Sequence, residues 1–243
     1  MVWYTGNRNG TIGRLDPSTG EVTSFRTPDG IRDPHTMVWD KPGNLWFTAQ
    51  NSGAVGHFNV TTKQFRIVKT ADGSRPYGIV MDSRGRVWFN LFGTNAIGTV
   101  DPQSLELKTY SVGDTQTRDR RIAIDTKDRL YYTDYSRGYL GRLDPATGKT
   151  EEWALPGGAT SLPYAMAIDD RNRVWVAESN PRRPNRLVAF DITLGAFVNV
   201  TEVPGERNTI RHMVFDARTK SLWFGADAGF ISRADVSGSR VAM

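Results

Sequence analysis

The 243-residue sequence has no cysteine, no long apolar run and no block of like charges. The lack of cysteine excludes disulfides, thiol nucleophiles and thiolate metal sites. No run approaches the roughly 18 apolar residues of a membrane helix, and the start of the chain lacks the basic and apolar regions of a signal peptide. The compartment stays open: cytoplasmic, or exported if an N-terminal signal has been removed.

The charge is positive but dispersed. The net charge is +5 and the pI is about 9.5, yet the basic residues form only short clusters such as 118–121 and 182–183. Nucleic-acid binding requires a basic stripe or a known module, and long runs of one sign are absent. We therefore expect no nucleic-acid or membrane partner, and the pattern does not indicate an oligomeric state.

A repeat organises the chain. An apolar run ending in Asp is followed by a short turn, an aromatic-rich run and a further run around a glycine. The aromatic landmarks are separated by 43, 42, 43, 44 and 48 residues, and they are Trp3, Trp46, Trp88, Tyr131, Trp175 and Trp223. In the first four copies a glycine follows ten residues later, at Gly13, Gly56, Gly98 and Gly141. A period near 43 residues is typical of β-propeller blades.

Each repeat contains four short runs rich in β-branched and aromatic residues, separated by turn residues. The fold class predicted is an all-β propeller, one domain of four-stranded antiparallel blades with the aromatics packed between blades. Six blades are visible, and the first lacks its innermost strand. We expect a fragment of a seven-bladed ring in preference to an incomplete six-bladed one. The predicted blades are about 1–30, 31–73, 74–116, 117–158, 159–206 and 207–243.

Antiparallel geometry places the start of each innermost strand beside the end of the second strand. These positions should converge on one mouth of a central channel, where a small-molecule ligand would bind. The predicted general bases are His212 and His35, with Asp227 orienting His212. The predicted substrate-binding residues are Tyr77, Asn90, Arg121, Tyr164 and Arg211. The alternative interpretation is a polar channel mouth with no chemical role.

Several segments resemble the virginiamycin B lyase (streptogramin lyase) family. They are Pro34-His35-Thr36-Met37, Pro76-Tyr77-Gly78-Ile79, Arg211-His212-Met213-Val214-Phe215 and the Ile-Gly-Arg-Leu-Asp-Pro third strands. The resemblance implies a seven-bladed propeller whose members open a cyclic depsipeptide antibiotic by elimination. It also implies a histidine base and a magnesium ion held by glutamate, for which Asp227 and Glu178 are the candidate ligands. No blade here carries the family's complete Glu-x-His and Glu set.

Three functions follow as hypotheses. The first is a carbon–oxygen lyase that opens an ester or lactone bond by elimination. The second is a lactone hydrolase of the gluconolactonase type, with a calcium-like ion held by Asn90, Asp134, Glu178 and Asp227. The third is a non-catalytic propeller that binds a ligand or a protein.

Overall fold

The computed structural model describes residues 1–205, 208–238 and 241–243. These residues form 22 β-strands in six antiparallel sheets. The only helical segment in this part of the chain is a 3-10 turn, Gly158–Thr160. None of its segments is a helix long and apolar enough to cross a membrane. The chain divides into two compact units, Met1–Ser111 and Val112–Met243.

The first unit contains three sheets, one for each of the first three repeats. The first sheet has the strands β1 (Val2–Gly6), β2 (Thr11–Leu15) and β3 (Val22–Arg26). The second has β4 (Pro34–Trp39), β5 (Leu45–Ala49), β6 (Ala54–Phe58) and β7 (Phe65–Lys69). The third has β8 (Pro76–Met81), β9 (Val87–Leu91), β10 (Ala96–Val100) and β11 (Leu107–Ser111).

The second unit contains the remaining three sheets. The fourth sheet has β12 (Asp119–Ile124), β13 (Leu130–Asp134), β14 (Tyr139–Leu143) and β15 (Thr150–Ala154). The fifth has β16 (Pro163–Ile168), β17 (Arg173–Glu178), β18 (Arg186–Asp191) and β19 (Ala196–Glu202). The sixth has β20 (Ile210–Asp216), β21 (Ser221–Ala226) and β22 (Ile231–Asp235).

The strand pairing confirms the repeat and the all-β propeller class. In each sheet from the second to the sixth, the landmark aromatic faces the first strand on one side and the third strand on the other. Trp46, for example, lies opposite Val38 and His57. Trp3 lies on β1 and faces Arg14, so β1 corresponds to a second strand and the first sheet lacks the innermost one, as predicted. The predicted last run, 239–243, lies partly outside the described residues, and its Ala242 bridges to Asp235.

Two landmark aromatics, Trp46 in the first unit and Trp175 in the second, pack between neighbouring sheets, as the repeat predicts. Trp46 packs with Val87 and Phe89 of the third sheet. Trp175 packs with Met213 and Phe224 of the sixth sheet. Both indoles are completely buried. Stacked sheets can remove apolar faces from water that one four-stranded sheet cannot cover alone.

The recurring glycine of the third strand has a steric cause. The four glycines of this set face an aromatic ring across the strand pair, in the pairs Gly13–Tyr4, Gly56–Phe47, Gly98–Phe89 and Gly141–Tyr132. A Cβ atom on Gly98 would lie 2.5 Å from the Phe89 ring. In the fifth sheet the same position is Val188, and the residue opposite is Val176. Glycine is therefore required where the opposing ring lies over the backbone.

Gly98→Ala is expected to lower the free energy of unfolding by about 1–3 kcal/mol, the usual cost of overpacking a core. The measurement is urea denaturation of the parent and the variant. The double variant Gly98→Ala, Phe89→Leu is the control, because a smaller side chain at position 89 should recover part of the loss. A gain in stability, as alanine brings where its Cβ fits, would contradict this explanation of the repeat.

Candidate functional site

Each innermost strand carries a one-residue bulge close to its first residue. The bulges lie at Pro34/Met37, Pro76/Ile79, Asp119/Ile122, Pro163/Met166 and Ile210/His212. A bulge leaves one residue out of the ladder and turns its side chain in a new direction, and bulges are enriched beside functional sites. The bulged stretches include five predicted site residues: His35, Tyr77, Arg121, Tyr164 and Arg211. Their side chains therefore depart from the regular alternation of the strand.

In the first unit the structure brings His35 and Tyr77 together. Their ring centroids lie 4.2 Å apart, and His35 Nδ1 lies 2.8 Å from the Thr36 hydroxyl oxygen. The carbonyl oxygen of Tyr77 accepts a hydrogen bond from the Thr48 hydroxyl at 2.6 Å. Asn90, on β9, is fully buried. His35 thus packs against the ring of Tyr77. Its role as a base stays a prediction.

In the second unit three guanidinium groups surround the buried ring of Tyr164. Their central carbons lie 5.1 Å (Arg120), 5.7 Å (Arg121) and 5.0 Å (Arg211) from its centroid. The Thr133 hydroxyl donates to the Tyr164 carbonyl oxygen at 3.1 Å. This hydrogen bond links β13 of the fourth sheet to β16 of the fifth sheet. A cation over an aromatic face is stabilised by the ring quadrupole. Tyr164 is therefore the platform of a cationic cluster.

Arg120 was not among the predicted site residues, although the doublet Arg120–Arg121 at an inner-strand start was a signal for it. Its guanidinium also stacks 4.0 Å from the centroid of Tyr135. Arg121 Nε donates to the Arg211 carbonyl oxygen at 3.1 Å. This hydrogen bond ties the fourth sheet to the sixth at the candidate site.

The sequence predicts that Asp227 orients His212. In the structure Asp227 is instead bound by Arg211. Its carboxylate pairs with Arg211 through two hydrogen bonds, from Nε to Oδ1 at 2.8 Å and from Nη2 to Oδ2 at 2.6 Å. These bonds lower the pKa of Asp227 and raise that of Arg211. The planar guanidinium fork matches both carboxylate oxygens at once, an arrangement that an imidazole ring cannot offer.

His212 follows the bulge of β20 and lies opposite Gly225. Removal of solvent by the surrounding protein, with a smaller contribution from the positive charge of Arg121, lowers its pKa to about 4. The residue keeps an exposed surface, so a substrate can reach it from solvent. At pH 7 the imidazole is neutral and able to accept a proton.

The two proposed magnesium ligands are already engaged. Glu178 accepts the Gly157 N–H at 2.8 Å and pairs with Arg186, whose Nε lies 2.7 Å from Oε2. Asp227 is held by Arg211. Across residues 1–205, 208–238 and 241–243, no three His, Asp or Glu residues are grouped to share a metal ion. These side chains therefore do not fit the magnesium ion that the resemblance implied.

The comparisons with known proteins agree on the architecture. The sequence model described as the virginiamycin B lyase family matches residues 60–242. A sequence search of curated proteins returns no match.

Three solved structures illustrate the fold similarity. A catalytically inactive virginiamycin B lyase from Staphylococcus aureus, crystallised with quinupristin, superposes with a TM-score of 0.86 at 18% identity, over 99% of this chain and 78% of that one. Hydrazine synthase from Kuenenia stuttgartiensis reaches 0.79 at 17% identity, over 93% and 70%. A putative 6-phosphogluconolactonase from Bacteroides fragilis reaches 0.76 at 11% identity, over 99% and 78%. At such identities the similarity shows the fold alone, because one fold hosts many functions.

Proposed function

The chain belongs to the virginiamycin B lyase family, and we propose that it is a carbon–oxygen lyase that opens an ester or lactone bond of a cyclic small molecule by elimination. The observation that carries this proposal is the placement of His212 in the second unit, directly after Arg211, whose carbonyl oxygen binds the guanidinium of Arg121. A base and a cation together are what proton abstraction beside a carbonyl requires.

His212 is proposed to remove the proton from the carbon next to the carbonyl. The electron pair of that C–H bond becomes the new carbon–carbon double bond, while the bond between the adjacent carbon and the ester oxygen breaks. The leaving group departs as a carboxylate, and the proton stays on the imidazole until solvent takes it. No water is consumed, so the opened product has the same mass as the ring.

Arg121 is proposed to stabilise the negative charge that develops on the carbonyl oxygen. A fixed cation aimed at developing charge needs no reorganisation during the reaction. Arg211 is neutralised by Asp227, so its proposed role is to hold Arg121 through its carbonyl oxygen. Tyr164 is completely buried, so its proposed role is to support the guanidinium groups without touching the substrate. None of these steps passes through a metal ion.

The hydrolase alternative is less well supported by the side chains. Besides Glu178 and Asp227, this alternative names Asn90 and the carboxylate of Asp134 as ligands of a calcium-like ion. That carboxylate is fully buried, accepts the backbone N–H groups of Arg118 and Ser136 and lies 2.5 Å from Arg137 Nε. Charged partners at close range already satisfy these oxygens, and breaking a buried pair leaves an uncompensated charge.

The test is turnover of a panel of cyclic depsipeptides and lactones, followed by product mass. Elimination predicts an unchanged mass, whereas hydrolysis adds one water. Because the free base must be neutral, kcat/KM should fall as the pH drops through the His212 pKa, which lies below the ordinary histidine value. An acidic limb near 6.5, the ordinary histidine value, would contradict the arrangement described here. A ligand that binds without turnover would instead favour a binding propeller.

A further inference from the structure

A second cluster of titratable side chains lies in the first unit, outside the candidate active site. His57, Asp40 and Arg66 line a cavity of about 510 Å³. His57 Nε2 lies 3.3 Å from Asp40 Oδ2, and Arg66 Nη2 lies 3.5 Å from His57 Nδ1. His57 lies on β6, a third strand, away from the inner-strand starts of the candidate site. The proposed lyase chemistry therefore does not use this cluster.

The equivalent aspartates of other sheets show how unusual Asp40 is. Asp82 accepts hydrogen bonds from Arg86 Nε at 2.7 Å and from Trp88 Nε1 at 2.9 Å. Asp169 is held in the same way by Arg173 and Trp175, at 2.7 Å and 2.8 Å. These are closed, internally satisfied turns in which the carboxylate braces the landmark tryptophan.

In the second sheet, whose residues the structure describes in full, the hydrogen bond from the landmark tryptophan to the aspartate is absent. Asn44 stands where the third, fourth and fifth sheets have Arg86, Arg129 and Arg173. Asp40 contacts His57 instead of Trp46. Within the described part of the chain, the buried Trp46 Nε1 has no hydrogen-bond partner. A buried N–H without a partner is costly, so stability alone would not select this arrangement. Departures from a local structural pattern are expected at functional positions.

The cavity is also positively charged. Lys41, Arg66 and Arg84 line it together with the single carboxylate of Asp40. Lys41 donates to the Ser83 carbonyl oxygen at 2.5 Å and Arg66 to the Pro102 carbonyl oxygen at 3.2 Å. Among the residues that the structure describes, none of these three cations forms an ion pair. Carbonyl oxygens orient a cation without cancelling its charge, and a concave surface concentrates that charge.

From this geometry we propose that the cavity around His57 and Arg66 is a binding site for a small oxyanion, the phosphate or carboxylate group of an anionic ligand. Arg66 and Arg84 would donate to the oxyanion, as guanidinium groups do to planar and tetrahedral anions. Burial lowers the pKa of His57, and Arg66 lowers it further against the opposing effect of Asp40. The neutral ring can therefore donate from Nε2 to Asp40 Oδ2, so that this oxygen of the lining carboxylate is occupied.

The experiment uses the three histidines of the chain as probes in carbon–proton correlation spectra. Inorganic phosphate and, separately, acetate are titrated at constant ionic strength, with the His57 signal assigned from His57→Gln. We expect a saturable shift of the His57 signal with at least one of the two anions. Tighter phosphate binding would identify a phosphorylated ligand, and comparable acetate binding a carboxylate ligand.

Arg66→Gln and Arg84→Gln are each expected to weaken binding by roughly tenfold or more, the size of one lost charged hydrogen bond. Lys108→Gln is the matched control, because Lys108 holds the position of Arg66 in the next sheet. It should leave the affinity unchanged. The proposal is overturned if neither anion gives a saturable shift, or if Lys108→Gln weakens binding as much as both arginine variants do.

Discussion

His212→Gln is expected to lower kcat by roughly 10²–10⁴-fold on any substrate that the parent eliminates, the usual loss for a general base. Glutamine keeps a similar polar volume but cannot take a proton at neutral pH. The residue is exposed, and substitutions at such positions usually change the free energy of unfolding by no more than about 0.5 kcal/mol. A loss of activity without a loss of stability would therefore report on chemistry.

Two further variants separate the roles. His35→Gln removes the other predicted base, which lies in the first unit, and its kcat is measured in the same assay. Arg121→Gln removes a cation whose charge lowers the pKa of His212, so it should lower kcat and also move the acidic limb of kcat/KM to higher pH. If His212→Gln keeps full activity on such a substrate, His212 is not the base. A limb that stays in place in Arg121→Gln would remove Arg121 from the electrostatic argument.

The largest stability effect is expected at the landmark aromatics. Trp175→Ala should lower the free energy of unfolding of the protein by about 3–5 kcal/mol, as for other large aromatic truncations in cores. The indole is completely buried between the fifth and sixth sheets, and its Nε1 donates to Asp169 at 2.8 Å. Removal leaves both a cavity and a carboxylate that has lost a donor.

Trp223→Ala is the matched control, since Trp223 holds the same strand position in the sixth sheet. Its side chain is 39% exposed, so a smaller apolar area returns to water and the expected loss is roughly 1–2 kcal/mol. Urea denaturation of both variants gives the comparison. Equal losses would show that burial between sheets does not determine the contribution of this aromatic set.

The blades could be predicted because their signals are local and repeated. Strand alternation, Asp-x-x-Gly turns and the spacing of the aromatics each depend on residues within one repeat. In the second repeat, the predicted aromatic-rich run forms β5 (Leu45–Ala49) and the run around the glycine forms β6 (Ala54–Phe58). The same periodicity located the inner-strand starts, and antiparallel pairing then placed Pro163 beside Glu178 as expected.

The side-chain partners at those positions were decided only by the tertiary structure. A carboxylate pairs with whichever donor the folded chain presents at the right distance and angle, and sequence spacing does not encode that choice. Asp227 could face His212 or Arg211, and the guanidinium fork of Arg211 holds it. Glu178 was a candidate metal ligand, and folding places Arg186 against it instead. The sequence alone determined which residues lie at each strand end, whereas bulges and cross-strand neighbours decided their partners, because one extra residue in a strand redirects its side chains.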